Sequence, residues 1–118
     1  MHFINAKSHL QTDEALFAHL KVLSPSAVDL ELRLLITLHQ QNAFLHALIQ
    51  RIISHKDFEM VQTLMTVFLR LYGESLVENA ELRDSMEELL RVSKLENERL
   101  RLLMSRSLGM LGFVREVG

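Results

Sequence analysis

Residues 80–114 read AELRDSMEELLRVSKLENERLRLLMSRSLGMLGFV, with no proline among them. One helix of roughly 35 residues, spanning about 50 Å at the standard rise, is the economical reading. Its apolar seam opens at Leu82, Met86 and Leu89 with Leu90, thins through 93–98, and returns at Leu100, Leu103, Met104, Leu108 and Leu111. The polar middle is expected to face solvent. From Leu100 onward the apolar residues Leu102, Leu103, Met104, Leu108, Met110, Leu111, Phe113 and Val114 cover most of the circumference, interrupted by Arg101, Arg106 and small serines and glycines. A helix apolar nearly all round is buried on several sides. Leu103, Leu111 and Val114 cannot share a stripe with Leu102, Met110 and Phe113, because each residue step turns the helix by roughly 100°. These six are therefore expected to bind a partner chain, and to support a homodimer when the domain is isolated. Gly109 and Gly112, each about 1 kcal/mol worse than Ala in a helix, fit a partner backbone passing close by. The alternative is that short helices of the same domain wrap this tail on both sides.

Upstream, the chain divides into shorter helical segments. Thr12 is a good N-cap, with Asp13 and Glu14 behind it, and Leu16, Leu20 and Leu23 mark one face. Ser24-Pro25 ends that helix and starts the next, Ser as cap and Pro at the first helical position. From Val28 the pattern runs through Leu32, Leu35 and Leu38 and lapses at His39-Gln40-Gln41-Asn42. There a break with Asn42 as cap is preferred over one bent helix. The next stripe is Leu45, Leu48, Ile49, Ile52 and Ile53. Ser54-His55-Lys56-Asp57 reads as a tight connection in which Asp57 caps a wide-striped helix carrying Phe58, Val61, Leu64, Met65, Phe68, Leu71 and Tyr72. Gly73 within it suggests close helix packing, and Asn79 is the last break. The expected fold is all-α, a bundle of about five helices with a long C-terminal helix. All 118 residues form one domain, residues 1–11 being only weakly ordered.

Composition agrees. There are 24 Leu against eight Val and five Ile, one Pro and four Gly, so helix formers dominate. An apolar share of 48% with 24% charged residues excludes intrinsic disorder and leaves a greasy chain that is expected to need a partner. Lys and Arg number 13 against 15 Asp and Glu, for a net charge of −2, which denies the chain the global field of a dedicated nucleic-acid binder. Without cysteine there is no disulfide framework or thiolate site, and no apolar run is long enough for a membrane span. The N-terminus lacks a signal peptide's pattern, so the chain reads as soluble and intracellular, with no membrane partner.

Residue chemistry points away from catalysis. The six histidines show no H-E-x-x-H or carboxylate-x-x-His spacing, and neither a metal nor a cofactor is expected. Ser105 and Ser107 lack a nucleophile elbow, and the adjacent carboxylates Asp13-Glu14 and Glu87-Glu88 diverge on a helix. Arg91, Lys94, Arg99, Arg101 and Arg106 form a basic stretch that could contact RNA phosphates. However, seven acidic residues match seven basic ones from Glu81 onward, and no aromatic side chain stands among the basic ones to stack on bases. An interaction domain is the main reading, and a helical RNA-contacting module the second.

Three stretches carry a family likeness: Leu23-Ser24-Pro25-Ser26-Ala27-Val28-Asp29-Leu30-Glu31-Leu32-Arg33, then Asp57-Phe58-Glu59-Met60-Val61-Gln62 through Phe68-Leu69-Arg70-Leu71-Tyr72-Gly73, then Ser107-Leu108-Gly109-Met110-Leu111-Gly112-Phe113-Val114. Together, in order over residues 17–114, they resemble the C-terminal domain of the Utp-twenty-one (WD-repeat protein thirty-six) family. The resemblance implies a non-enzymatic scaffold domain that follows two β-propellers. It further implies the UTP-B subcomplex of the small-subunit processome, assembled in the nucleolus on U-three small nucleolar RNA and pre-ribosomal RNA. The implied partners are the helical C-terminal domains of Utp one, Utp twelve and Utp thirteen. Where the family carries a Gly-containing acidic insertion, residues 34–42 have no Gly, leaving open whether that connection is a loop or a bent helix. The propellers lie outside these residues, so Met1 is expected to start a fragment.

Overall fold

The computed structural model describes the backbone of residues 9–117 and the side chains of residues 14–109. Five helices follow one another: α1 His9–Lys21, α2 Pro25–Leu32, α3 Leu38–Ile53, α4 Phe58–Glu78 and α5 Ala80–Val117. No strand occurs among the described residues. The all-α fold with a long last helix is as the sequence pattern predicts.

Local chemistry explains most of the boundaries. Ser24 caps α2, its hydroxyl accepting from the Ala27 amide at 3.3 Å, with Pro25 at the first helical position. Two expected caps are corrected. Thr12 lies inside α1, which is already helical at His9, so an N-cap preference did not interrupt a helix entered a turn earlier. Asn42 lies inside α3, and the break falls at residues 33–37 instead. There Thr37 accepts from the Gln40 amide at 3.1 Å, while the Gln40 side chain accepts from the Thr37 amide at 3.2 Å, a reciprocal capping box. The connection between α2 and α3 is therefore a loop. Asn42 instead reaches α5, accepting from Ser85 and donating to Glu81 at 3.4 Å. Asn79, in extended conformation, separates α4 from α5 as expected, and the last carbonyls of α4 accept from the Asn79 amide groups and the Arg83 guanidinium.

α3 is the central helix, burying Phe44, Leu45, Leu48, Ile49 and Ile52. α4 runs antiparallel to it, with Phe44 stacked on Phe68 at 6.0 Å and Phe68 against Tyr72 at 5.0 Å. α4 kinks at Tyr72, whose hydroxyl donates to the Leu32 carbonyl at the end of α2. α5 runs parallel to α3, Ser85 lying beside Asn42 and Glu96 beside His55. The close packing expected at Gly73 is not found, since a methyl group built there would meet nothing within 4 Å.

The turn from α3 to α4 is held by charge. His55 and Asp57 take left-handed φ values of 59° and 54°. Asp57 stands at the N-cap of α4 as expected, yet its carboxylate makes no capping bond. It turns to Arg51, accepting from Nε at 2.8 Å and pairing with Nη2 at 2.7 Å, and to Lys21 at 3.0 Å. Arg51, only 8% exposed, also donates to Glu14 at 2.7 Å and lies 4.7 Å above the Phe17 ring. These bonds hold the Asp57 carboxyl below its ordinary range despite the opposing effect of burial.

Two stability outcomes follow from this packing. Arg51→Ala should cost about 2–3 kcal/mol in denaturant unfolding, because charge-assisted bonds are lost and Asp57 is left half-buried without its main partner; Arg51→Lys should recover only part of it. Gly73→Ala should stabilise by about 0.5–1 kcal/mol, raising the denaturation midpoint, because the site is open and helical.

Candidate interaction surface

The long helix α5 is seated by one face. Leu82, Ser85, Met86, Leu89, Val92, Ser93 and Glu96 are all buried, at spacings of three and four residues. The expectation that the polar middle is solvated is therefore corrected at two positions. Ser93 accepts from the Gln62 side chain of α4 at 3.1 Å. Glu96, 5% exposed, accepts from His55 Nδ1 at 2.8 Å and from Arg99 Nε and Nη2 at 2.7 and 3.0 Å. Leu95, between them, is 53% exposed. The heptad seam continues through polar residues because each has a partner within the bundle, so burial costs little.

The bundle ends where this seam ends. α3 stops at Ile53 and α4 starts at Phe58, while α5 runs on past both. Every described side chain from Arg101 to Gly109 is exposed, including Leu102 at 53%, Leu103 at 44%, Met104 at 62% and Leu108 at 56%. Over these residues none of the described helices wraps the tail. At about 100° per residue, Leu100, Leu103, Met104, Ser107 and Leu108 continue the face that is buried upstream, whereas Leu102 lies about 100° from Leu103. The side chains of Met110, Leu111, Phe113 and Val114 lie outside the described residues. A methyl group at Gly109 would meet nothing within 4 Å.

The basic stretch divides in two. Arg91 is held by Glu88, and Arg99 by Glu96, each through two bonds. Lys94, Arg101 and Arg106 have no partner among the described residues. Two of the five candidate RNA contacts are thus engaged within the helix, a feature that the charge count alone did not reveal.

A second apolar surface was not foreseen. Leu20, Leu23, Val28, Met60, Leu64 and Val67 line a groove of about 510 Å³ between α1, α2 and α4. Lys21, Asp57 and Arg70 also line it, Lys21 paired with Asp57 and Arg70 with Asp29. Its residues come from three segments, so no single periodicity announced it. Among the described residues no group of three or more His, Asp or Glu side chains could hold a metal ion. No described helix is long and apolar enough to cross a membrane.

Comparison with known proteins adds two findings. The profile of the family described as "Utp21 specific WD40 associated putative domain" matches residues 3–115. The chain is also 31% identical over 116 residues to the U3 small nucleolar RNA-associated protein 21 homolog of Schizosaccharomyces pombe, a match covering 91% of this chain and 13% of that protein.

The Glu96 cluster at the root of the tail makes stability depend on acid. The Arg99 bonds lower the Glu96 carboxyl most, burial opposes them, and His55 adds to the lowering, leaving it at about 2. A depressed carboxyl stabilises the fold fully above its unfolded value near 4.5, and that contribution is lost as pH falls towards 2. Glu96→Gln should cost about 1–2 kcal/mol at neutral pH. In thermal melts the difference from the parent chain should vanish between about pH 5 and pH 2.

Proposed function

The chain belongs to the Utp21 family of WD40-associated domains, and from that membership we propose that it is a non-enzymatic scaffold domain acting in assembly of the small-subunit processome. In this reading it serves pre-ribosomal RNA processing and small-subunit biogenesis in the nucleolus, as part of the UTP-B subcomplex. The chain spans 13% of the length of the fission yeast relative, so the activity of a whole protein of this kind involves much more than this domain. The proposed partners are the helical C-terminal domains of Utp one, Utp twelve and Utp thirteen. U-three small nucleolar RNA and pre-ribosomal RNA belong to the same assembly.

One observation carries the scaffold role: Leu102, Leu103, Met104 and Leu108 of α5 stand beyond the end of the bundle, uncovered by any described residue. Solvent-exposed leucines on a continuous helical face are the ordinary mark of a protein-binding surface. The second reading, direct RNA contact, rests on Lys94, Arg101 and Arg106. It requires affinity that falls steeply between low and moderate salt, whereas an apolar interface changes little.

Leu103→Asp and Leu108→Asp should each reduce recovery of partner subunits at least tenfold when the full-length protein is affinity-purified. Met110→Asp and Phe113→Asp are expected to do the same. Helical circular dichroism and the melting temperature of the Leu103 and Leu108 variants should stay at parental values, because these side chains bury little within the chain. Full recovery of partners by the variants would place the interface elsewhere.

A further inference from the structure

Upstream of the bundle's end, the buried face of α5 spans an arc of about 120° at the helical rotation, and two helices cover it. α3 covers one side, through Asn42 and His46 on Ser85 and His55 on Glu96. α4 covers the other, through Gln62 on Ser93. Downstream, Leu100, Leu103, Met104, Ser107 and Leu108 span an arc of about 140° that continues the first without a break, and from Arg101 to Gly109 none of the described residues covers it. Leu103 continues the line covered by α3, and Met104 and Leu108 continue the line covered by α4.

A single straight helix laid on another contacts a narrow stripe, and the same α5 needs two neighbours for an arc of this width. We propose that the tail of α5 is the seat for an antiparallel pair of helices from one partner chain, stacked end-on against the Ser54–Asp57 turn and continuing the positions of α3 and α4. The proposal rests on the scaffold reading and specifies its partner. A second copy of this chain is a poor occupant, because its α3 and α4 are already packed on its own α5. Its free tail is also one helix, whose Arg101 and Arg106 would repel those of the first. Charge specifies the pair further. Arg106 borders the arc on the α3 side, and Arg101 and Lys94 border it on the α4 side, none with a partner among the described residues. The outer edges of the incoming helices are therefore acidic.

The test places the photo-crosslinking residue benzoylphenylalanine at Leu103, Leu108 and, as a control on the polar side, Ser105, in the full-length protein purified in its native assembly. Met104, on the same side as Leu108, is carried in parallel so that loss of assembly by one variant still leaves that side read. Leu103 and Leu108 are expected to capture two different segments of one partner chain, joined by a short turn and rich in Asp and Glu, with Ser105 capturing little. Arg101→Glu combined with Arg106→Glu should lower the capture yield at least fivefold. Capture of one and the same segment from both sides, of a second copy of this chain, or of RNA would overturn the proposal, as would capture at Ser105 equal to that at Leu103. If Leu103→Asp and Leu108→Asp abolish assembly while the crosslinks land on one helix, the scaffold reading stands and the helix pair fails. If those aspartates leave assembly intact, the scaffold reading itself fails.

Discussion

The Arg51 guanidinium decides how three helices meet. It is buried on α3, stacks over Phe17 of α1, donates to Glu14 of the same helix, and takes the Asp57 carboxylate at the entry to α4. A buried guanidinium without partners would be strongly destabilising, so the chain is held to the arrangement that satisfies it. That arrangement includes the turn at 54–57, where two non-glycine residues adopt left-handed backbone angles. The reversal there lays α4 antiparallel on α3 and forms the groove that receives α5. Remove the charge cluster and the direction of α4 loses its main polar constraint, even though the apolar stripes remain.

Once α3 and α4 are paired, α5 is placed by polar residues as much as by leucines. Apolar side chains alone tolerate sliding along a groove, since one leucine replaces another at small cost. Asn42 on Ser85, Gln62 on Ser93 and His55 on Glu96 do not, because each displaced pair leaves buried groups unbonded. These three contacts, spread along the seam, fix the register of the long helix. The register in turn determines which residue first stands clear of the bundle.

Much of this was legible in the sequence wherever the signal was local. Ser24-Pro25, the connection before Phe58, and Asn79 are boundaries written in adjacent residues, and the structure places them as read. The Thr37–Gln40 box was local too, but apolar spacing from Leu32 to Leu38 ran across it and drew attention to the polar run that follows. Thr12 shows the converse: a residue with capping preference is tolerated inside a helix when its neighbours sustain the pattern. What stayed hidden depended on residues far apart. Glu96 reads as solvent-facing until His55, 41 positions earlier, is seen beside it. Asp57 reads as a cap until Arg51 is found to claim its carboxylate. Of the candidate interface, Leu102 and Leu103 are exposed, as an all-round apolar helix end suggests, while the groove between α1, α2 and α4 has no linear signature.

Because α5 is unbroken from Ala80 to Val117, the bundle and the tail share one helical phase. Residues 97–101, exposed except for the half-buried Leu100, resemble a permissive surface segment, where an inserted or deleted residue is ordinarily harmless. Here a single such change would turn everything downstream by about 100° and move it by about 1.5 Å, carrying Leu103 and Leu108 away from the line set by α3 and α4. Substitution and length change are thus governed by different constraints in this segment: Asn97 and Glu98 are free to vary in side chain, but the count of residues is not. The helix behaves as a rigid shaft, and whatever grips its far end is oriented by the seam at the near end.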